Sequence, residues 1–136
     1  MEGSVIDLAK YRLSRAEEDI ETAADNLESK KFRASVNRSY YAVFHSIRAI
    51  TALDHFDSSK HSGVIAHFNQ HYIKSGIFDK ELSKMVDSCY RLREKADYDD
   101  FYLVSRDEAV LQLEKARAVH QAIKEYINNQ DSETET

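Results

Sequence analysis

The sequence predicts an all-α protein, an antiparallel up-and-down bundle of four long helices plus one short helix. Three observations support this prediction. The 136 residues contain no proline and only three glycines, so the composition favours long, uninterrupted helices. Apolar residues recur three and four positions apart through most of the chain, which places them on one face of each helix. The alternation of apolar and polar residues that would indicate strands is not sustained anywhere in the sequence.

The first predicted helix has an unbroken apolar stripe over about three heptads. Alanine alternates with a larger residue along this stripe, which indicates that a neighbouring helix approaches closely. The stripe consists of Ile6, Ala9, Leu13, Ala16, Ile20, Ala23 and Leu27.

The second predicted helix covers roughly residues 32–53 and has two distinct faces. Its apolar face consists of Val36, Tyr40, Val43, Ile47 and Ile50. A second stripe, nearly opposite and spaced by three, four and three residues, consists of Arg38, Tyr41, His45 and Arg48. These long side chains could lie along a solvated flank. We favour a dimer interface or the wall of a pocket, because aromatic residues and arginine are enriched at interfaces.

End signals delimit the next two predicted helices. The third covers about residues 59–74, and Gly76 followed by Ile77 is typical of a C′ glycine with its apolar contact. The fourth begins near Asp79, a favourable N-cap residue, and ends near Tyr98.

The fifth predicted helix begins with a capping box formed by Ser105 and Glu108. Its inward-facing residues are Ala109, Leu113, Ala116, His120, Ile123 and Ile127. The polar residues from 128 onwards are expected to fray, and residues 131–136 to form a disordered tail. Residues 1–130 are therefore predicted to form a single domain.

The composition narrows the possible functions. A formal net charge of −5 is unfavourable for non-specific binding to nucleic acid. The single cysteine, Cys89, excludes an internal disulfide and fits a reducing compartment. Apolar runs stay well short of the roughly 20 residues that span a bilayer, and the N-terminus lacks the apolar segment of a signal peptide. We therefore expect a cytoplasmic protein without membrane contact, cofactor or metal.

The end of the fourth predicted helix contains the strongest functional signal. Arg93 falls inside the apolar stripe of this helix, four residues after Cys89. Asp97 lies one turn further on, close enough to pair with Arg93. Because an unpaired buried charge is very costly, we expect the two residues to form an ion pair. A polar group inside a helical bundle either fixes the register of the helices or forms a site.

Three segments of the chain, taken together, are similar to a known family. They are residues 37–45 (NRSYYAVFH), 59–63 (SKHSG) and 93–98 (REKADY). In order and spacing the chain resembles the HEPN domain over about residues 5–127, in particular its small stand-alone bacterial and archaeal branch. The resemblance implies a helical bundle that is usually homodimeric and is often encoded beside a minimal nucleotidyltransferase, in toxin–antitoxin or defence pairs. It also implies that active members are metal-independent ribonucleases.

The catalytic signature of those ribonucleases, an arginine followed after four to six residues by a histidine, is incomplete in this chain. Counted from Arg91 or Arg93, the histidine would stand between positions 96 and 100, which hold no histidine. RNA cleavage needs a group that titrates near neutrality, so the loss is serious. Asp97, Tyr98 or a histidine from another helix, such as His45, could fill the role beside Arg93.

Other histidines are weaker candidates. His67 and His71 have the i, i+4 spacing of zinc ligands, but the glutamate of the HExxH motif is absent, so we interpret them as surface residues. His61 follows Lys60 at a helix start, where it could cap the helix or contact an anionic partner together with Lys60 and the helix N-terminus. His120 is expected to be a hydrogen-bonded core residue.

Two functions from different classes fit these observations. We favour a non-catalytic, homodimeric HEPN module that binds a nucleotide or a partner protein and belongs to a toxin–antitoxin or defence system. The alternative is a divergent metal-independent ribonuclease toxin, paired with a minimal nucleotidyltransferase, that acts on RNA. The residues expected to bind are Arg38, Tyr41, His45, Arg48, Lys60, His61, Arg91 and Arg93.

Overall fold

The computed structural model describes residues 3–135, and this part of the chain is all-helical, without strands, as predicted. Its helices are α1 (Gly3–Glu28), α2 (Phe32–Ala52), α3 (His61–Phe68), α4 (Lys80–Tyr98) and α5 (Arg106–Glu135). A single π-helical turn, Asn69–Ile73, continues α3. The four long helices and the short α3 match the predicted bundle. None of these helices, within the described range, is long and apolar enough to cross a membrane.

Helix α2 is the centre of the bundle, because it packs against each of the other four helices. Its predicted apolar face is buried, and so are small residues on its other sides, such as Ser35, Ala42 and Ala49. Neighbouring helices therefore approach α2 from several directions. Polar side chains on α2 must consequently find their partners within the protein.

Helix α1 packs against α2 and α5 through the predicted stripe of alanines and larger residues. The stripe includes one feature that the apolar pattern hides, a buried acidic residue, Asp19. The turn into α2 is tight, because the amides of Lys30 and Lys31 donate to the carbonyls of Leu27 and Asn26. Lys30 takes a left-handed conformation there, with φ of 62°.

The connection between α3 and α4 follows the prediction with one correction. Gly76 has φ of 84° and its amide donates to the Ile73 carbonyl, as expected of a glycine that ends a helix. The apolar contact is made by Phe78, which packs against the core, whereas Ile77 is 45% exposed. Asp79 then caps α4, accepting a hydrogen bond from the Glu81 amide at 2.9 Å.

Helix α5 begins with the predicted capping box. The Glu108 amide donates to Ser105 Oγ at 3.1 Å, and the Ser105 amide donates to Glu108 Oε1 at 2.9 Å. The helix continues to Glu135, so residues 131–135, expected to lie in a disordered tail, have a helical backbone. Asp131 pairs with Lys10 of α1. Thr136, also assigned to the tail, lies outside the described residues.

Candidate functional site

Arg93 and Asp97, one turn apart near the end of α4, form the ion pair that their spacing predicts. Arg93 Nε lies 2.8 Å from Asp97 Oδ2, and the two side chains are 17% and 24% exposed. The Nε–H is not directed at the carboxylate, so no hydrogen bond forms at this nitrogen. Asp97 Oδ2 instead accepts a hydrogen bond from Asn37 Nδ2 at 3.2 Å. The pair therefore joins α4 to α2.

Three tyrosines surround the guanidinium group of Arg93. Its Nη2 donates to Tyr41 Oη at 3.3 Å. The guanidinium carbon lies 5.3, 5.5 and 5.9 Å from the ring centres of Tyr40, Tyr41 and Tyr98, distances at which a cation and an aromatic face attract. Burial alone would lower the pKa of Arg93, but Tyr41 and Asp97 outweigh it and raise that pKa. Arg93 is therefore a permanent positive charge.

His61, the first residue of α3, lies against the same tyrosines. Its Nδ1 is 2.7 Å from Tyr40 Oη, and its ring stacks on Phe44 with the ring centres 3.9 Å apart. Burial lowers the pKa of His61, and the charges of Arg93 and Arg48 lower it further. The imidazole is therefore neutral at pH 7, with one nitrogen held by Tyr40.

Close packing of α3 on the preceding loop fixes the position of His61. The nearest contact involves Gly63, where an added Cβ would lie only 2.9 Å from Ser58 Oγ. A larger residue at position 63 would displace the Ser58 hydroxyl, which accepts a hydrogen bond from the Lys60 amide at 3.2 Å.

A second histidine, His45 of α2, contacts an acidic residue of α1. His45 Nδ1 lies 2.6 Å from Asp19 Oδ2, and Arg38 Nη1 donates to Asp19 Oδ1 at 3.2 Å. The Arg38 guanidinium in turn lies 4.8 Å from the ring centre of Tyr41. The Asp19 carboxylate thus orients His45 and balances the charge of Arg38.

Arg38 also connects this group to the Arg93 pair. Its Nη2 and Nε donate to Asn37 Oδ1 at 2.8 and 3.2 Å, while the amide nitrogen of Asn37 donates to Asp97. Hydrogen bonds and ion pairs therefore run without a break from Asp19 on α1, through α2, to Arg93 on α4.

Arg48, at the end of the α2 stripe, has different partners. Its Nη2 donates to both carboxylate oxygens of Asp57 at 3.1 Å. Arg12 of α1 lies beside the pair, with Nη1 donating to the Arg48 carbonyl at 3.0 Å and Nη2 3.7 Å from Asp57 Oδ2. Burial lowers the pKa of Arg12, and so does the neighbouring charge of Arg48.

The second stripe of α2 is thus turned inward. The side chains of Arg38, Arg48 and His45 are 36%, 28% and 15% exposed, and each contacts α1 or the loop that follows α2. Arg38 and Arg48 line two separate pockets, whereas Tyr41 and His45 lie between them, and the role of the stripe as a pocket wall or a dimer interface stays a prediction.

Other predicted site residues stand at the edge of the cluster or outside it. Tyr98 is 72% exposed and contacts Arg93 with one side of its ring. Arg91 pairs with Asp87 at 2.7 Å on the exposed side of α4. Lys60 is exposed just before α3.

The two histidines with zinc-ligand spacing are engaged in other contacts. His67 Nε2 lies 3.0 Å from Asp54 Oδ2, and its ring stacks on Phe56 at 4.0 Å and lies 4.2 Å from that of His71. The His67 side chain is half-buried, with 15% of it exposed, whereas His71 is an exposed surface residue. Among the described residues, no group of three or more His, Cys, Asp or Glu side chains could hold a metal ion.

Two other polar groups belong to the core, as predicted. Burial raises the pKa of the Cys89 thiol to about 12, so the thiolate that would react is scarce at neutral pH. His120 is buried, with Nε2 3.5 Å from Glu17 Oε1, and its pKa is lowered mainly by burial.

Three residues that organise the cluster were missed from the sequence. Asp19 could have been found, because it lies three residues after Ala16 and four before Ala23 and so falls within the apolar stripe. Asn37 stands at the start of the segment 37–45 singled out above, but its contact with Asp97 gave no signal because Asp97 belongs to another helix. Asp57 gave no signal either, because its partners Arg48 and Arg12 lie on helices outside its loop.

Comparison with known proteins identifies the family. The model of the HEPN domain matches residues 9–126. The chain belongs to the HEPN family. Of the two arginines from which the HEPN ribonuclease signature can be counted, only Arg93 lies within the cluster described above.

Several relatives share most of this HEPN chain. A UPF0332 protein of Thermotoga maritima is 30% identical over 122 residues, which cover 90% of this chain and 92% of that protein. Two proteins of Methanocaldococcus jannaschii bear the name "Putative toxin". One is 29% identical over 115 residues, covering 85% of this chain and 78% of the relative. The other is 36% identical over 83 residues, covering 61% and 62%.

Proposed function

We propose that this HEPN protein is a toxin-like, metal-independent ribonuclease in which His61 replaces the histidine missing from the end of α4. One observation carries the proposal: His61 and Arg93 contact the same two tyrosines. Tyr40 Oη lies 2.7 Å from His61 Nδ1, and the ring centre of Tyr41 lies 6.0 Å from that of His61. The two relatives that are named as toxins support the toxin-like role.

The proposed reaction is attack of a ribose 2′-oxygen on the adjacent phosphorus. The bond from the 2′-oxygen to phosphorus forms and the bond from phosphorus to the 5′-oxygen breaks, which leaves a 2′,3′-cyclic phosphate and a 5′-hydroxyl. His61 Nε2 takes the proton of the 2′-hydroxyl, which requires the tautomer in which Nδ1–H donates to Tyr40 Oη. Water supplies the proton for the leaving 5′-oxygen, and the hydroxide that remains takes the proton from His61, which restores the neutral imidazole. Arg93 provides positive charge for the phosphate.

The direct test is cleavage of transfer RNA by the purified protein in the presence of a metal chelator. The wild type should give cyclic-phosphate ends, Arg93→Ala should lose cleavage, and Arg93→Lys should retain part of it because the charge remains. Arg93→Lys keeps a positive partner for Asp97 and so should fold, which separates loss of cleavage from misfolding. A wild type that cleaves no RNA, or an Arg93→Ala variant that is folded and as active as the wild type, would refute the proposal.

A second candidate is the non-catalytic module that binds a nucleotide or a partner protein. It is favoured by the commitment of Arg93 to Asp97 and Tyr41, which leaves this arginine less free to bind phosphate. In that case the wild type should cleave nothing, while Arg93→Gln should weaken binding of the nucleotide or the partner.

We also propose that the protein is a homodimer, although through a different surface from the α2 stripe. The loop between α4 and α5 exposes two large apolar residues, Phe101 (94%) and Leu103 (85%). Beside it, a groove of about 1210 Å³ runs between α3 and α4, with Ile65, Ile73 and Val86 among its lining residues. Exposed apolar groups next to an apolar groove are typical of an association surface.

The second copy is favoured as the occupant of this groove because the charges are complementary. Asp100 precedes Phe101, whereas the charged residues of the groove lining include one more basic than acidic side chain: Lys80, Lys84, Arg91 and Lys95 against Asp87, Glu94 and Asp99. Light scattering should give about twice the 15.7 kDa chain mass, and Phe101→Asp should give the monomer. Leu111→Asp, at an exposed apolar residue of α5, is the control and should remain dimeric. A monomeric wild type would overturn the proposal.

A minimal nucleotidyltransferase is the proposed antitoxin partner, on the strength of the family resemblance and of the relatives named as toxins. Where one is encoded beside the gene for this chain, the purified pair should form a complex with reduced RNA cleavage. Failure of the two proteins to associate would exclude this partner.

A further inference from the structure

An open pocket lies beside His61, at the junction of α2, the loop that follows it and the start of α3. Its volume is about 490 Å³. The lining residues are Phe44, Arg48, Asp57, Ser58, Ser59 and His61. Arginine, hydroxyl groups and imidazole are all donors of hydrogen bonds to oxygen anions.

The pocket has more positive than negative charge around it. Two guanidinium groups, those of Arg12 and Arg48, share the single carboxylate of Asp57. Lys60 stands immediately before His61 and adds a further positive charge nearby. This local excess is notable in a chain with a net charge of −5, and it favours an anion.

Asp57 occupies the position that an external anion would take. Both of its oxygens lie 3.1 Å from Arg48 Nη2, yet the Asp57 side chain is 57% exposed. To leave, the carboxylate must also give up a hydrogen bond from the Ser58 amide at 2.9 Å and its contact with Arg12. Because the side chain is exposed, each of these contacts contributes little to stability.

We propose that this pocket binds a phosphate group, held by Arg48 and by the hydroxyl groups of Ser58 and Ser59 beside His61, and that Asp57 moves aside to admit it. Arginine binds phosphate well because its planar donors match two phosphate oxygens. The proposal rests on the ribonuclease function for the source of the phosphate, a second phosphate of the bound RNA. The binding itself does not depend on cleavage and can be measured separately.

The test is titration of the full-length protein with inorganic phosphate, followed by nuclear magnetic resonance of the His61 ring. The wild type should show a saturable shift. Asp57→Asn should bind about fivefold more tightly, because it removes a like charge from the pocket. Arg48→Gln should bind at least about tenfold more weakly. Arg48→Lys keeps the charge but loses the planar donors, so its phosphate affinity should fall between those of the wild type and Arg48→Gln. This variant also guards against misfolding.

Matched substitutions on exposed surface control for net charge alone. Arg117→Gln on α5 and Asp25→Asn on α1 should leave phosphate affinity as in the wild type. If Arg117→Gln weakens binding as much as Arg48→Gln, the effect is general electrostatics and the pocket is refuted. A wild type and an Asp57→Asn variant that both fail to shift with phosphate would refute it as well.

Two further probes distinguish the source of the phosphate. A 5′-nucleoside monophosphate carries a monoester, whereas a dinucleotide without a terminal phosphate carries only a diester. Competition by the dinucleotide supports an internal RNA phosphate, and competition by the monophosphate alone supports a terminal one. RNA cleavage that is insensitive to Arg48→Gln, together with absent phosphate binding, would overturn the pocket and leave the ribonuclease proposal intact. Phosphate binding without any RNA cleavage would refute the ribonuclease proposal and leave the pocket intact.

Discussion

The two ends of the short third helical segment place a histidine in opposite surroundings. His61, at the start of α3, has Arg93 and Arg48 as its charged neighbours and a tyrosine hydroxyl as its hydrogen-bond partner. His67, two turns later, has a carboxylate partner, Asp54, and packs flat on Phe56. Burial, together with the charges of Arg93 and Arg48, keeps the imidazole of His61 neutral. The difference indicates that His67 supports the fold, while His61 remains available to accept a proton.

The largest expected effect tests this contrast directly. His61→Gln should reduce RNA cleavage by about a hundredfold or more, because it removes the proposed base. His67→Gln should leave cleavage within about twofold of the wild type, since His67 contacts neither Arg93 nor the tyrosines around it. Initial rates under single-turnover conditions measure both. Equal loss of RNA cleavage in the two variants would show that His61 and His67 do not differ in function.

The second-largest expected effect is on the free energy of unfolding and comes from the ion pair of Arg93, the charge beside His61. Arg93→Ala leaves Asp97 without its counter-charge and should lower the free energy of unfolding by about 2 kcal/mol, less than the roughly 3–5 kcal/mol of a fully buried pair. The expected loss is smaller because the side chains of Arg93 and Asp97 are 17% and 24% exposed. The double variant Arg93→Met/Asp97→Leu should cost less than about 1 kcal/mol, because no orphan charge remains. Urea denaturation measures all three proteins, and identical curves would mean that the pair has no structural role.

Acid should destabilise the protein through its buried histidines. The pKa values of His61 and His120 are lowered from 6.5, mainly by burial, so the unfolded chain takes up protons at a higher pH than the folded one. Stability is therefore full above pH 6.5 and is lost as the pH falls below it toward the lowered values. Melting temperatures between about pH 8 and pH 5 should show this decline. His61→Gln and His120→Gln should each make it shallower, and a profile unchanged in both variants would contradict the assignment.

The smallest expected effect is a gain in stability from substitutions that leave His61 and His67 unchanged. Lys30 and His55 have φ of 62° and 57°, a left-handed conformation that is unfavourable for side chains with a Cβ. Lys30→Gly and His55→Gly should each stabilise the fold by about 0.5 kcal/mol. Thermal unfolding measures the gain, and RNA cleavage should stay as in the wild type. Destabilisation by either glycine would show that the side chain contributes more than its strained backbone costs.

The fold was predictable because its signals are local. The spacing of apolar residues in α1 and α2, the capping box at Ser105 and the glycine at position 76 each act within a few residues. The end of α5 was harder, because a polar sequence was read as a tail although residues 131–135 continue the helix.

The site was predictable only in part, because it depends on contacts between distant segments. The spacing of Arg93 and Asp97 indicated their pairing, and the α2 stripe indicated a polar wall. The approach of His61 to Tyr40 joins residues 21 positions apart on different helices, and helical periodicity contains no information about such a contact. The pairing of Arg48 with Asp57 depends in the same way on the path of a loop.

The close contact between Gly63 and Ser58 offers a means of sorting HEPN sequences. Because a side chain at position 63 would displace Ser58 Oγ from the Lys60 amide, a small residue there favours the observed orientation of a hydroxyl that lines the pocket beside His61. Chains with glycine two residues after the histidine, serine three residues before it and arginine on the preceding helix should share the same pocket. Chains with a bulkier residue in place of the glycine should lack it, so this spacing can separate subgroups within the family.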